Sequence, residues 1–156
     1  MTHTKETSMK PVTFDIPMPL IKGKGGIQRL LSANLYRNAY FHTLNASKVE
    51  YDTVIDSVLA TLKPFAVPVK MEFKFYFTTK RRRDIDNFLF PVSKYLCDSL
   101  TKRGILVDDN MKYYPEVSAQ YGGQDEDNHV TVTISKSKVS VKELDCNPNS
   151  GKGEEE

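Results

Sequence analysis

The chain has 156 residues, 39% hydrophobic and 27% charged. That mix belongs to ordinary globular domains and excludes a disordered or fibrous chain. Two cysteines, Cys97 and Cys146, and no stretch near the roughly 18 apolar residues of a membrane span exclude a disulfide-stapled module, a cysteine-based zinc module and a membrane protein. The opening MTHTKETSMK lacks the apolar run of a secretory leader, so a reducing, cytoplasmic setting is expected. The formal net charge is +2, yet residues 20–103 carry 15 Lys or Arg against 7 Asp or Glu. That region is +8 and the remainder −6. A basic body with acidic flanks suits a polyanion partner.

In chain order, residues 1–10 are polar and expected to be a disordered tail. Val12, Phe14 and Ile16 alternate with polar residues, which predicts a short strand ended by Pro17 and Pro19. Residues 22–34 are expected to form a loop with some order near Ile27–Leu31. It is not a phosphate-binding P-loop, since no Gly-Lys-Ser/Thr follows the glycines. Apolar residues at helical spacing predict a helix over 47–62, with Val49, Val54, Ile55, Val58, Leu59 and Leu62 in its stripe. Ser47 and Glu50 form its capping box and Pro64 stops it.

Strict alternation predicts a strand over 67–79, with Phe73, Phe75 and Phe77 in the core rather than stacking on bases. A second helix is predicted from about Asn87 to Arg103, with Leu89, Val92, Leu96 and Leu100 as its stripe and Gly104 as its cap. Pro91 inside it predicts that regular helix begins only at Phe90 or Pro91. Residues 113–121 and 129–135 look like two strands joined by the polar turn 122–128. The chain thus reads as a single small α+β domain over 11–138, a mixed or antiparallel sheet with helices packed on it. A flexible acidic tail is expected over 139–156.

The segment Lys80, Arg81, Arg82, Arg83, Asp84, Ile85, Asp86, Asn87 is the most informative. Asp84 and Asp86 stand two apart at what reads as a strand end, where a period of two puts both carboxylates on one face. At roughly 5 Å they repel by about 3 kcal/mol at an effective dielectric of 20. A divalent cation, the arginines, a helix N-terminus or a shared proton can offset that. Asp108 and Asp109 follow about twenty residues later. A chain returning along the second helix would bring three or four carboxylates together, a donor set suited to Mg²⁺. The plainer alternative is that these residues only cap turns. Mg²⁺ beside a basic run points to phosphoryl chemistry, with the basic side chains on flanking phosphates. His3, His42 and His129 lack partners at ligand spacing and are expected to be non-catalytic.

The segment RRRDIDNFLFPVSKYLCDSLTKRGILVDD resembles the core of the RusA-type Holliday junction resolvases. Their pattern is a basic run, Asp-x-Asp-Asn, an amphipathic helix, a Gly, an apolar stretch and Asp-Asp. The resemblance extends more loosely to VTFDIPMP, to residues 34–37 and to VTVTISK, covering residues 12–136. It implies a RusA-like fold and a homodimeric, Mg²⁺-dependent endonuclease that resolves four-way DNA junctions by paired nicks, with Mn²⁺ as a substitute metal and no nucleotide cofactor. It places metal-binding and catalytic carboxylates at Asp84, Asp86 and Asp109, with Asp108 beside them. Lys80, Arg81, Arg82, Arg83, Asn87, Asn34, Tyr36 and Arg37 become the expected DNA contacts. The family's functional lysine, four residues past the second Asp, falls on Phe90 here, and Lys94, one turn further along, is the candidate to replace it. A phage or prophage origin is a family-based expectation. The departure at Phe90 leaves a non-catalytic branched-DNA-binding protein as the alternative.

Overall fold

The computed structural model describes residues 9–139. The expected tails, with His3 and Cys146, lie outside them, apart from Met9, Lys10 and Val139. The chain runs β1 (Val12–Pro17), β2 (Leu20–Lys22), a one-turn 3-10 helix (Lys24–Gly26), β3 (Gln28–Leu30), α1 (Ala33–Asn38), α2 (Phe41–Leu59), β4 (Val69–Phe77), α3 (Ile85–Lys102), β5 (Glu116–Gln124) and β6 (His129–Lys136). Four strands form one mixed sheet in the order β1-β6-β4-β5, and β2 pairs with β3. The fold is α+β, as expected. Among the described residues no helix is long and apolar enough to cross a membrane.

β4 organises the sheet. Its alternating residues Val69, Met71, Phe73, Phe75 and Phe77 are all buried, so the three phenylalanines are core as expected. β6 runs antiparallel to β4 and sets Val130, Val132 and Ile134 beside them. β5 runs parallel to β4 on its other side. A polar turn does join β5 to β6 as expected, but the two strands do not pair: both flank β4, and the turn crosses its end, where Asp125 N–H donates to Phe77 O at 2.9 Å. The register shifts at Phe75/Tyr76, where Tyr121 is followed by an extra residue, Gly122. A Cβ on Gly122 would lie 2.6 Å from Tyr76 Cζ, so the bulge needs glycine there.

Two other expectations change. The order expected near Ile27–Leu31 is β3, but the rest of 22–34 is more than loop: β3 pairs with β2 in a hairpin, and α1 follows, its N-cap Ser32 accepting from Leu35 N–H. The predicted helix over 47–62 begins six residues earlier, and Ser47 is not its cap. Ser47 is buried mid-helix and donates to Leu20 O at 2.6 Å, while Tyr95 Oη donates to Ser47 Oγ at 3.1 Å. The core stripe of α2 is Ser47, Tyr51, Ile55 and Leu59, and Val49 and Val54 are exposed. The Tyr51 hydroxyl donates to Pro17 O, so the polar atoms of the stripe are all satisfied internally.

α3 begins at Ile85, not at Phe90 or Pro91, and passes through Pro91 without interruption. Proline lacks the N–H that would meet the Asn87 carbonyl four residues back. Its far end is closed as predicted. Gly104 has φ +73, Gly104 N–H meets Thr101 O at 3.0 Å and Ile105 N–H meets Leu100 O at 2.9 Å. This is a Schellman cap, with Ile105 and Leu100 both buried. Gly104→Ala is expected to lower stability by about 1–2 kcal/mol, since a side chain disfavours positive φ. Thermal unfolding followed by circular dichroism checks this.

A candidate carboxylate cleft on α3

β4 ends at Phe77, seven residues before Asp84. Asp84 and Asp86 are thus not at a strand end, and the period-two argument for a shared face is corrected. Asp84 is the N-cap of α3, exposed, with no side-chain bond to its helix. Asp86 lies in the first turn, where the helix N-terminus favours a negative charge.

Asp86 faces a cleft of about 390 Å³ together with Asp109 and Lys94. Leu89, Phe90, Ser93, Cys97, Tyr114 and Val117 complete its walls. The chain after Gly104 does return along α3, held where Ile105 and Leu106 N–H groups both meet Leu100 O. That return carries Asp109 to the middle of the helix. Its charge is felt at Cys97: burial, and secondarily Asp109, push the thiol up to about 12. Cys97 is 2% exposed. It is a wall, not a nucleophile, because a thiol so raised carries almost no thiolate at neutral pH. Iodoacetamide at pH 8 is expected to leave Cys97 unmodified in the folded protein and to label it in urea, read by peptide mass spectrometry.

The four expected carboxylates divide. Asp86 and Asp109 share the cleft, while Asp84 and Asp108 do not line it. The Asp108 carboxylate accepts from Asp109 N–H at 2.8 Å and from Asn110 Nδ2 at 3.1 Å, so it shapes the turn. Among the described residues no three His, Cys, Asp or Glu side chains gather as a metal-holding group. Two carboxylates on one open cleft still fit Mg²⁺, which keeps several waters and is commonly held by one or two protein carboxylates plus substrate phosphate. Neither Asp86 nor Asp109 is neutralised by an ion pair with a described residue.

Lys94 lies on the cleft, with Nζ 3.9 Å from Asp98 Oδ2. Asp98 is held more closely by Lys48, at 2.7 Å, so its charge is largely spent on another partner. Phe90 is 44% exposed and meets the Tyr36 ring edge-on at 5.1 Å. That contact puts α1 beside the cleft. Asn34 and Arg37 are exposed on α1, joined by a long 3.4 Å contact.

The basic loop is not uniform. Lys80, Arg81 and Arg82 are exposed. Arg83 turns inward, donating to Thr79 O, Thr79 Oγ1 and Arg81 O, with its guanidinium 4.2 Å over the Phe77 ring. Partial burial, then the Arg81 charge, lower its pKa from the ordinary value. These bonds staple the loop, and the guanidinium, charged at neutral pH, lines a cleft beside Phe77. Asn87 N–H meets Asp84 O at 3.1 Å, closing the first turn.

Ser93 and Tyr114 belong to the cleft and were not expected. Their hydroxyls lie 3.4 Å apart, and burial raises the Tyr114 pKa. Helical spacing from Asp86 through Leu89 and Phe90 leads to Ser93 and Cys97, so the sequence held that signal. His129 stacks on Tyr76 at 4.6 Å and bonds Asp125 at 2.8 Å, away from the cleft. No protein-family model and no curated protein matches the chain, so a functional assignment rests on the geometry of this cleft.

Proposed function

We propose that the chain is a Mg²⁺-dependent, structure-selective endonuclease that nicks four-way DNA junctions in pairs, with a fold of the RusA type. The observation that supports this most is the meeting of Asp86, Asp109 and Lys94 in one cleft, Asp86 and Asp109 coming from positions 23 residues apart, on a helix that an exposed basic loop leads into. Asp86 and Asp109 would hold the cation, and Mn²⁺ suits the same oxygen donors. When bound, it supplies Lewis-acid polarisation of the scissile phosphodiester. Lys94 offers positive charge where negative charge develops. Lys80, Arg81 and Arg82 hold flanking phosphates and so set the register of the strand. Asn34 and Arg37 extend the polar surface on the other side of Phe90. Two strands cut symmetrically call for two copies of the site, hence a homodimer.

A second proposal, junction binding without cleavage, is favoured by Phe90 standing where the resembled family has its lysine. One experiment separates the two. A labelled synthetic four-way junction is incubated with the protein with and without Mg²⁺, beside a matched duplex. Paired nicks only with Mg²⁺ support the nuclease. A salt-sensitive shift without product supports the binder. No junction affinity at low salt rejects both.

A further inference from the structure

The first turn of α3 faces two clefts, and the second differs in chemistry from the first. Ile85 and Phe88, three residues apart, line a cleft of about 440 Å³ with Phe77, Tyr121, Lys80 and Arg81. No carboxylate lines it. Its floor is aromatic, with Phe88 meeting the buried Phe77 edge-to-face at 5.3 Å and the Arg83 guanidinium over the Phe77 ring, and Tyr121 is 56% exposed. The Gly122 bulge follows directly after Tyr121. The rim is cationic, since Lys80 and Arg81 are exposed while Arg83 is committed to the loop. Gln124, also on the wall, gives its amide N–H to Thr78 O at 2.9 Å.

We propose that this cleft receives one unstacked nucleobase of the bound DNA, its ring against Tyr121 and Phe88 and its flanking phosphates on Lys80 and Arg81. The proposal rests on the nuclease reading and adds to it the means of selecting branched DNA. Aromatic faces accept any base by stacking, whatever its identity. In intact duplex every base is already stacked and paired, and extruding one breaks both interactions at a cost. At a branch point that cost is smallest. The cleft therefore discriminates structure without reading sequence.

The two clefts are connected through β5. Val117 lines the carboxylate cleft and Tyr121 the aromatic one. Val117 pairs with Met71 and Tyr121 with Phe75, which puts both on the helix-facing side of the sheet. Four strand residues span roughly 13 Å. At ~3.4 Å per stacked nucleotide that is about four steps, and fewer where the strand is unstacked. The displaced base thus sits within about four nucleotides of the phosphate to be cut.

The test uses the full chain without Mg²⁺, so that nothing is cut. Four-way junctions carry 2-aminopurine at each position within four nucleotides of the branch point in turn. The expected result is a change of emission at one position on binding, lost with Tyr121→Ala and kept with Tyr121→Phe. Tyr121→Ala also weakens junction binding roughly 10-fold while duplex binding stays level. If wild type binds the junction with no such change, or Tyr121→Ala behaves as wild type, the base cleft is wrong and the nuclease proposal stands. If wild type binds neither DNA, both fall. Should Tyr121→Ala fail to fold, Tyr121→Gln, which keeps side-chain reach at this 56% exposed position but has no ring, is read in the same way: the emission change must be lost at saturating protein.

Discussion

Asp86→Asn is expected to cut Mg²⁺-dependent junction cleavage by about 10²–10³ or more, a loss of several kcal/mol of transition-state stabilisation, while leaving junction binding intact. Asparagine matches aspartate in shape, and Asp86 is exposed, so packing does not change. Stability falls only by the lost charge at the helix N-terminus, about 0.3–1 kcal/mol. The cleft loses half of its carboxylates. Binding holds or tightens, because a negative charge facing phosphate is removed and the rim cations remain. Asp108→Asn is the control. Its carboxylate is engaged in a turn, so a much smaller loss is expected. The assay is the rate of nicking at saturating protein, with binding measured separately without metal. Wild-type cutting by Asp86→Asn would remove the carboxylate cleft as the active site.

The parts of this site legible in the sequence are those set by local period. β4 could be read because every second residue is buried, and α3 because its stripe and its Gly104 cap agree. The return of Asp109 toward Asp86 was inferable from a short apolar link after a helix. What could not be read depends on partners far along the chain. The stripe of α2 was legible at Ile55 and Leu59 but not in its first half, where the core positions are Ser47 and Tyr51. These look like surface residues until Leu20 O and Pro17 O are seen to accept their hydroxyl protons. The β2–β3 hairpin has three-residue strands, too short for any period to show. The placement of β5 beside β4 is a parallel pairing across a helix, and no local pattern specifies it. That pairing brings Val117 and Tyr121 to their clefts, so the second cleft was invisible in the sequence. Asp84 was misjudged for a related reason. Asp-x-Asp reads alike at a strand end and at a helix start, and only the second separates the two carboxylates.

Arg103→Met is expected to lower stability at pH 7 by about 2–3 kcal/mol, the range for charge-assisted, partly buried hydrogen bonds. Arg103 closes α3 and reaches α2. Its Nη1 lies 2.6 Å from Asp52 Oδ1 and 3.0 Å from Ser99 O, and its Nη2 lies 2.7 Å from Asp56 Oδ1. Asp52 is 15% exposed and also takes Lys102 at 2.9 Å. It is more desolvated than a surface pair, whereas Asp56 is 62% exposed and contributes little. The Arg103 hydrogen bond, foremost, holds the Asp52 carboxyl well below the usual carboxylate range. The pH dependence follows from that direction. An unfolded aspartate titrates near ~3.9, so the unfolded chain takes up the proton before the folded one does. The contribution of Asp52 is therefore complete above that value and is lost as pH falls below it. Methionine preserves much of the arginine's apolar stem but not its charge. The gap between wild type and Arg103→Met, measured by urea unfolding, should shrink from pH 7 to about pH 2.5. A gap that stayed constant across that range would assign the loss to packing of the arginine stem, not to the ion pair.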